Sequence, residues 1–142
     1  MRILDNKTVK KIQKKLVKDP NILAAYVFGS QVQGQASKKS DLDIAVVIAD
    51  AEQVDYGKLY LDLSRLISGR EVDLRIVTLQ DTSPLFLYNL IKGNVCLYAQ
   101  SEVVRVKFET LALKKFYDTA NLRSIYHHYL GEAIKKGTYG YR

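Results

Sequence analysis

The chain has 142 residues and a hydrophobic fraction of 47%, which supports one folded domain with its own core and excludes a largely disordered protein. A single cysteine excludes an internal disulfide and no apolar run approaches the ~20 residues of a membrane span, so we expect a cytoplasmic protein. The net charge of +7 is concentrated near both ends, where it can attract nucleotides, RNA or an acidic partner, or simply solvate two helix faces.

Hydrophobic periodicity predicts eight elements in the order helix, strand, strand, helix, strand, helix, strand, helix. Apolar residues three or four apart predict helices, and short apolar or alternating runs predict strands. The predicted helices are residues 8–18, 56–68, 84–92 and 102–136, the last with a break near Asn121, and the predicted strands are residues 22–28, 41–48, 70–77 and 95–98. This order predicts an α/β (α+β) fold with a short mixed sheet flanked by helices.

A glycine-serine pair followed by two aspartates forms the pattern most typical of a site. The apolar run of the first strand ends at Gly29, Ser30 follows, and ten more residues lead to Asp41 and Asp43 in the next apolar run. Side chains alternate along a strand, so both carboxylates share one face, where a divalent cation such as Mg²⁺ offsets their repulsion. Gly29 lets the backbone approach a ligand, and the Ser30 hydroxyl and loop N–H groups can receive phosphate.

The alternating run at residues 70–77 supplies a third candidate carboxylate. It places Asp73 and Arg75 on the face opposite its apolar residues. If this strand pairs beside residues 41–48, Asp73 lies close to Asp43 and completes the carboxylate set that a two-metal site uses. Arg75 shares the face, and we expect it to pair with Asp73.

These motifs resemble the signature of the nucleotidyltransferase superfamily that includes DNA polymerase β, and more narrowly that of the minimal nucleotidyltransferases, the MNT proteins. The residues that match it one by one are Phe28, Gly29, Ser30, Asp41, Asp43 and Asp73. The resemblance covers residues ~8–98 and implies a DNA polymerase β-like nucleotidyltransferase domain over residues 1–100, with a helical tail over residues 101–142. In one departure, Gln31 and Gln33 stand where many members carry arginine.

The resemblance also implies an activity and a partner. Small MNT proteins are commonly the antitoxins of HEPN/MNT toxin–antitoxin modules, and some transfer AMP from ATP to a tyrosine hydroxyl of the HEPN ribonuclease toxin. In that reaction Asp41 and Asp43 bridge two Mg²⁺ ions, and Asp73 holds the ion near the nucleophile and acts as general base. Gly29 and Ser30 bind the nucleotide phosphates. The implied assembly is a hetero-oligomer with the toxin.

Two other functions fit the same sequence. The chain could neutralise a toxin by binding and occlusion alone, through its basic, tyrosine-rich tail, or it could modify a small molecule as aminoglycoside-modifying relatives do. The tail itself allows two interpretations, a helix that docks a partner or a helix that packs in the core. Its apolar positions are Phe108, Leu111, Phe116, Leu122, Ile125 and Tyr129.

Overall fold

The computed structural model describes residues 4–29 and 41–135, and its four strands form one mixed sheet. The strands are β1 (Ile22–Phe28), β2 (Leu42–Ile48), β3 (Val72–Val77) and β4 (Asn94–Ala99). Their order across the sheet is β3-β2-β1-β4, with β2 and β3 parallel and β1 antiparallel to both β2 and β4. The predicted fold class, a short mixed sheet flanked by helices, is confirmed.

Four helices cover the sheet: α1 (Asn6–Leu16), α2 (Tyr56–Leu66), α3 (Pro84–Lys92) and α4 (Glu102–Lys135). The first three begin at side-chain caps, where Asp5, Asp55 and Ser83 each accept a hydrogen bond from a first-turn N–H. The expected break of α4 near Asn121 is wrong, since the helix runs unbroken for 34 residues. A single asparagine costs a helix only tenths of a kcal/mol, so favourable neighbours carry the helix through it.

The alternation along β2 divides the core into two layers. Leu42, Ile44, Val46 and Ile48 pack in a cluster with residues of α1 and α2. Ala45 and Val47 pack on the opposite face, in a cluster with residues of α3 and α4. Both faces of the strand are therefore covered, which explains its nearly continuous apolar sequence. The alternation also places Asp43 on the α3–α4 face.

Helix α4 belongs to the core over only part of its length. Phe108 and Ala112 are buried in the α3–α4 layer, and Glu109 accepts a 3.0 Å hydrogen bond from the hydroxyl of the buried Tyr26 on β1. Leu122, Ile125 and Tyr129 are exposed, so plain core packing, one of the two interpretations of the tail, is wrong for these positions. No helix in the part of the chain that the structure describes is both long and apolar enough to cross a membrane.

Candidate active site

One row of side chains crosses the sheet at the end where β1 finishes and β2 and β3 begin. Its members are Cα partners on neighbouring strands, in the order Asn94, Phe28, Asp43 and Asp73. Directly paired residues point to the same face of a sheet, so the two carboxylates lie side by side on the α3–α4 face. The prediction that Asp73 lies beside Asp43 is confirmed, and it depends on the parallel in-register pairing of β2 and β3.

The pKa of the Asp43 carboxyl lies above its ordinary value. Burial raises its pKa, and a hydrogen bond to the Asp73 carboxyl and the Asp73 charge raise it further, while Arg75 opposes the shift. Two ionised carboxylates on neighbouring strands repel each other, and burial adds to the cost. The pair is therefore built to hold positive charge between its oxygens, and hard divalent cations such as Mg²⁺ prefer such oxygen ligands.

Asp41 and Arg75 flank this pair. Asp41 is exposed, one residue before β2, and its charge also raises the pKa of Asp43. Within residues 4–29 and 41–135, no three Asp, Glu, His or Cys side chains group closely enough to hold a metal ion. The structure thus brings Asp43 and Asp73 together, and the joining of Asp41 to them stays a prediction. The Arg75 Nε lies 3.9 Å from Asp73 Oδ1, so the expected ion pair is confirmed, with a long separation between the charged groups.

The Asp43 carboxylate lies directly against the backbone of Gly29. Its φ is +80°, a left-handed conformation that side chains other than glycine rarely adopt. A Cβ at this position would overlap Asp43 Oδ2 and would lie 3.3 Å from Asp43 Cγ. Sequence reasoning assigned this glycine to the approach of a ligand, whereas here its missing side chain makes room for a carboxylate. Ser30, the other predicted phosphate-binding residue, lies outside the described residues.

An aromatic pair borders the same row and was missed by the sequence reasoning. Phe28, the cross-strand partner of Asp43, packs edge-to-face against Phe86 of α3 with ring centroids 5.5 Å apart. The signal for Phe86 was present in the spacing of Phe86, Leu87, Leu90 and Ile91, which marks the covered side of α3. This pair links α3 to the strand end that carries Gly29.

Sequence comparison identifies the family. A family model described as "Polymerase beta, Nucleotidyltransferase" matches residues 10–103, about two thirds of the chain. The chain belongs to the polymerase beta nucleotidyltransferase family. The matched span contains Gly29, Asp43 and Asp73, so the expected enzyme class, nucleotidyltransferase, is confirmed at the level of the family. A search of curated protein sequences finds no match.

Solved structures show the same fold at low sequence identity. A chain in the crystal structure of a toxin–antitoxin with AMP-PNP is 22% identical with a TM-score of 0.61, over 89% of this chain and 99% of that chain. A chain in the tri-AMPylated Shewanella oneidensis HEPN toxin complex with MNT antitoxin is 21% identical with a TM-score of 0.62, at the same coverage. Spectinomycin adenyltransferase from Enterococcus faecialis, solved with ATP and spectinomycin, is 18% identical with a TM-score of 0.52, over 70% of this chain and 58% of that chain.

Proposed function

We propose that this nucleotidyltransferase is the antitoxin of a HEPN/MNT toxin–antitoxin pair and transfers AMP from ATP to a tyrosine hydroxyl of its HEPN-type partner. The observation that carries the proposal is the in-register pair Asp43 and Asp73 beside Gly29. The likeness to chains of toxin–antitoxin complexes, one with AMP-PNP and one with an AMPylated toxin, supports the choice of nucleotide and partner. The family match supports the reaction type.

In the proposed reaction the tyrosine oxygen bonds to the α-phosphorus of ATP, the bond from that phosphorus to the bridging oxygen breaks, and pyrophosphate leaves. Asp41, Asp43 and Asp73 would hold Mg²⁺, in two ions, and Gly29 and Ser30 would contact the β- and γ-phosphates. When bound, Mg²⁺ neutralises charge on the phosphates and makes the attacking hydroxyl more acidic.

In this reaction, side chains of the sheet take up the proton and keep the reacting groups aligned. Asp73 lies on the edge strand β3, where an acceptor can reach it, and takes the proton of the tyrosine hydroxyl. The Asp43 carboxylate lies directly against Gly29, and this contact would preserve the alignment that phosphoryl transfer requires.

The proposal is tested with the purified chain, Mg²⁺, ATP labelled at the α-phosphate and the HEPN-type protein encoded by the neighbouring gene. We expect label on tyrosine of the partner and a loss of about 1,000-fold or more when Asp41→Asn and Asp43→Asn are combined. Asp62→Asn is the matched control, because Asp62 pairs with Lys15 on the other face of the sheet. A wild type that labels no more than the double variant would exclude the enzymatic proposal.

A second candidate, neutralisation by occlusion without catalysis, is favoured by exposed apolar residues near the end of α4, namely Leu122, Ile125, Tyr126 and Tyr129. The two candidates separate in one assay of the partner's ribonuclease activity. If the Asp41→Asn, Asp43→Asn variant still neutralises the partner at equimolar concentration, occlusion is the function. If neutralisation requires intact carboxylates and ATP, the function is AMP transfer to the partner.

A further inference from the structure

Helix α1 separates its lysines from its buried residues. Ile12 and Leu16 are buried in the layer that α1 and α2 form on one face of the sheet. At about 100° per residue, the exposed lysines of the helix occupy one arc of about 140° on the opposite side, and no other residue of α1 falls within that arc. We call this surface the lysine face, and its members are Lys7, Lys10, Lys11, Lys14 and Lys15, with Lys18 in the turn directly after the helix.

Acidic residues meet the lysine face only at its margins. Asp62 of α2 pairs with Lys15 at 3.6 Å on one side of the face. Asp5 and Asp19 lie before and after the helix, where each carboxylate accepts a hydrogen bond from a backbone N–H. In the part of the chain that the structure describes, the other lysines of α1 form no ion pair. The middle of the face is therefore a row of uncompensated positive charges.

This arrangement has a cost that a merely solubilising surface avoids. No acidic residue occurs between Asn6 and Leu16, so the lysines of α1 form like-charged pairs three and four residues apart along the whole helix. Such pairs destabilise a helix, whereas lysine alternating with glutamate gives the same solubility and stabilises it. A polyanion bound along the face would remove the repulsion.

The composition of the face favours phosphate over the other polyanions. The face holds no arginine, the side chain that binds carboxylates through two parallel hydrogen bonds, and lysine is depleted in interfaces between proteins. An acidic protein is therefore disfavoured. The apolar side of α1 is buried in the core, so the helix cannot insert that side into a membrane surface.

The surroundings of the face favour duplex DNA over a single strand or RNA. Lys10 and Lys14 also line an open groove of about 510 Å³ between α1 and the end of β4, and no acidic residue lines it. The one aromatic residue of that lining, Tyr98, is buried, and α1 has no aromatic residue on which unpaired bases could stack. Lysine has no acceptor for the 2′-hydroxyls by which proteins recognise RNA.

We propose that the lysine face binds duplex DNA along its phosphates without reading its sequence. Lys7, Lys10, Lys11 and Lys14 supply the contacts, because Lys15 already pairs with Asp62. The inference does not depend on the proposed function, since α1 packs on the face of the sheet opposite the α3–α4 layer.

The test measures binding of the full-length chain to a fluorescent DNA duplex of about 20 base pairs at several salt concentrations. Release of counterions from about four phosphates predicts that log K falls against log salt with a slope of about −3 to −4. The face variant, Lys7→Gln with Lys11→Gln and Lys14→Gln, should reduce the slope to about −1 and weaken binding about 30-fold or more at about 50 mM salt. Its unfolding temperature should be unchanged or higher, because like-charged pairs are removed.

The matched control removes the same charge from α3 and α4. It combines Lys92→Gln, Lys107→Gln and Lys114→Gln, three exposed lysines away from α1. We expect it to keep most of the salt slope and to change binding less than about fivefold, since charges beyond the contact are screened. A second duplex of unrelated sequence should bind the wild type equally well.

Four results would overturn the proposal. Equal DNA binding by the face variant and the wild type would mean that the lysines only solvate α1. Tighter binding of a single-stranded RNA of the same length would assign the face to RNA, and tighter binding of polyglutamate would assign it to an acidic protein. Binding to vesicles that contain phosphatidylserine, without binding to DNA, would assign it to a membrane surface. The Asp41→Asn, Asp43→Asn variant should bind DNA as the wild type does whether or not AMP transfer is found, which keeps this test separate from that of the proposed function.

Discussion

Gly29 and Asp43 are coupled, because the carboxylate lies in the space where any other residue at position 29 would place its Cβ. The same Asp43 carboxyl faces Asp73 across the strand pair. The site thus concentrates two costs, a left-handed backbone and a like-charge pair, at the residues that the family signature requires. Such costs at one place are typical of functional sites and are compensated elsewhere in the fold.

Comparing Gly29→Ala with Gly69→Ala separates the cost of backbone strain from the effect of displacing the Asp43 carboxylate. The substitution should cost about 1–2 kcal/mol of stability for the left-handed conformation and should also push Asp43 aside, lowering AMP transfer by about 100-fold. Gly69→Ala is the control, since Gly69 has a φ of +82° and nothing within 4 Å of its added Cβ. It should lose similar stability by thermal unfolding while keeping its transfer rate. Equal rates in both variants would show that Gly29 does not position Asp43.

Asp43→Asn should stabilise the metal-free protein at neutral pH. The pKa of Asp43 is raised by folding, so the folded chain binds protons more tightly than the unfolded chain, and its stability falls as the pH rises through that raised pKa. Asparagine removes the like-charge repulsion, with an expected gain of about 0.2–1 kcal/mol at pH 7 in EDTA.

The gain should fade as the pH falls through the raised pKa of Asp43 toward the ordinary carboxyl range, because the wild-type carboxyl then becomes protonated as well. Urea unfolding at pH 7 and pH 4 measures both effects. Asp62→Asn serves as the control and should have the opposite sign at pH 7, because it loses an ion pair with Lys15. A destabilised Asp43→Asn at pH 7 would contradict the repulsion.

At the scale of elements, one lysine ties α4 to the turn that joins β3 to α3. The Lys115 ammonium donates to the carbonyl oxygens of Leu79, Gln80 and Thr82. The turn is ordered from within, because the buried Thr78 accepts from the Asp81 N–H and donates its own N–H to Thr82 Oγ1. Helix α4 is thereby tied to the turn between the strand that carries Asp73 and the helix that carries Phe86.

Lys115→Met keeps most of the side-chain volume and leaves those carbonyls without their donor. We expect a loss of about 1.5–3 kcal/mol in urea unfolding, since hydrogen bonds to a charged group are lost from a partly buried place. The neighbouring Lys114→Met is the control, because its pair with Asp118 is exposed and contributes about 0.3–0.5 kcal/mol. Similar losses in the two variants would show that the carbonyl contacts do not hold the helix.

At the scale of the whole molecule, the sheet of the nucleotidyltransferase domain is followed by a helix of about 51 Å, and only part of that helix is buried in the core. The inner part closes the α3–α4 layer of the core. Residues 122–135 present the apolar side chains of Leu122, Ile125, Tyr126 and Tyr129 to solvent. One continuous helix therefore belongs to the core at its beginning and extends past the core at its end.

Substitutions along α4 should divide into two classes. Phe108→Ala removes a buried ring that packs near Tyr26 and should cost about 3–5 kcal/mol. Leu122→Ala, two heptads further along the helix and exposed, should change stability by less than about 0.5 kcal/mol. Chemical denaturation of the two variants measures both. A large loss at Leu122 would mean that this side chain is covered in solution by the chain itself.

Much of this molecule follows from the chain alone. The periodicities placed all eight main elements, because these signals are local and act within one or two turns. The Gly-Ser and Asp-x-Asp spacing was enough to identify the family.

Contacts between distant segments were decided only by the tertiary structure. The adjacency of Asp43 and Asp73 depends on β2 and β3 pairing in parallel register, and the contact between Gly29 and Asp43 depends on the antiparallel pairing of β1. The apolar pattern of α4 is the same at Phe108 and Leu122, yet one is buried and the other is exposed. Periodicity tells which side of a helix is apolar, but what covers that side is set by where the sheet and α3 end in space.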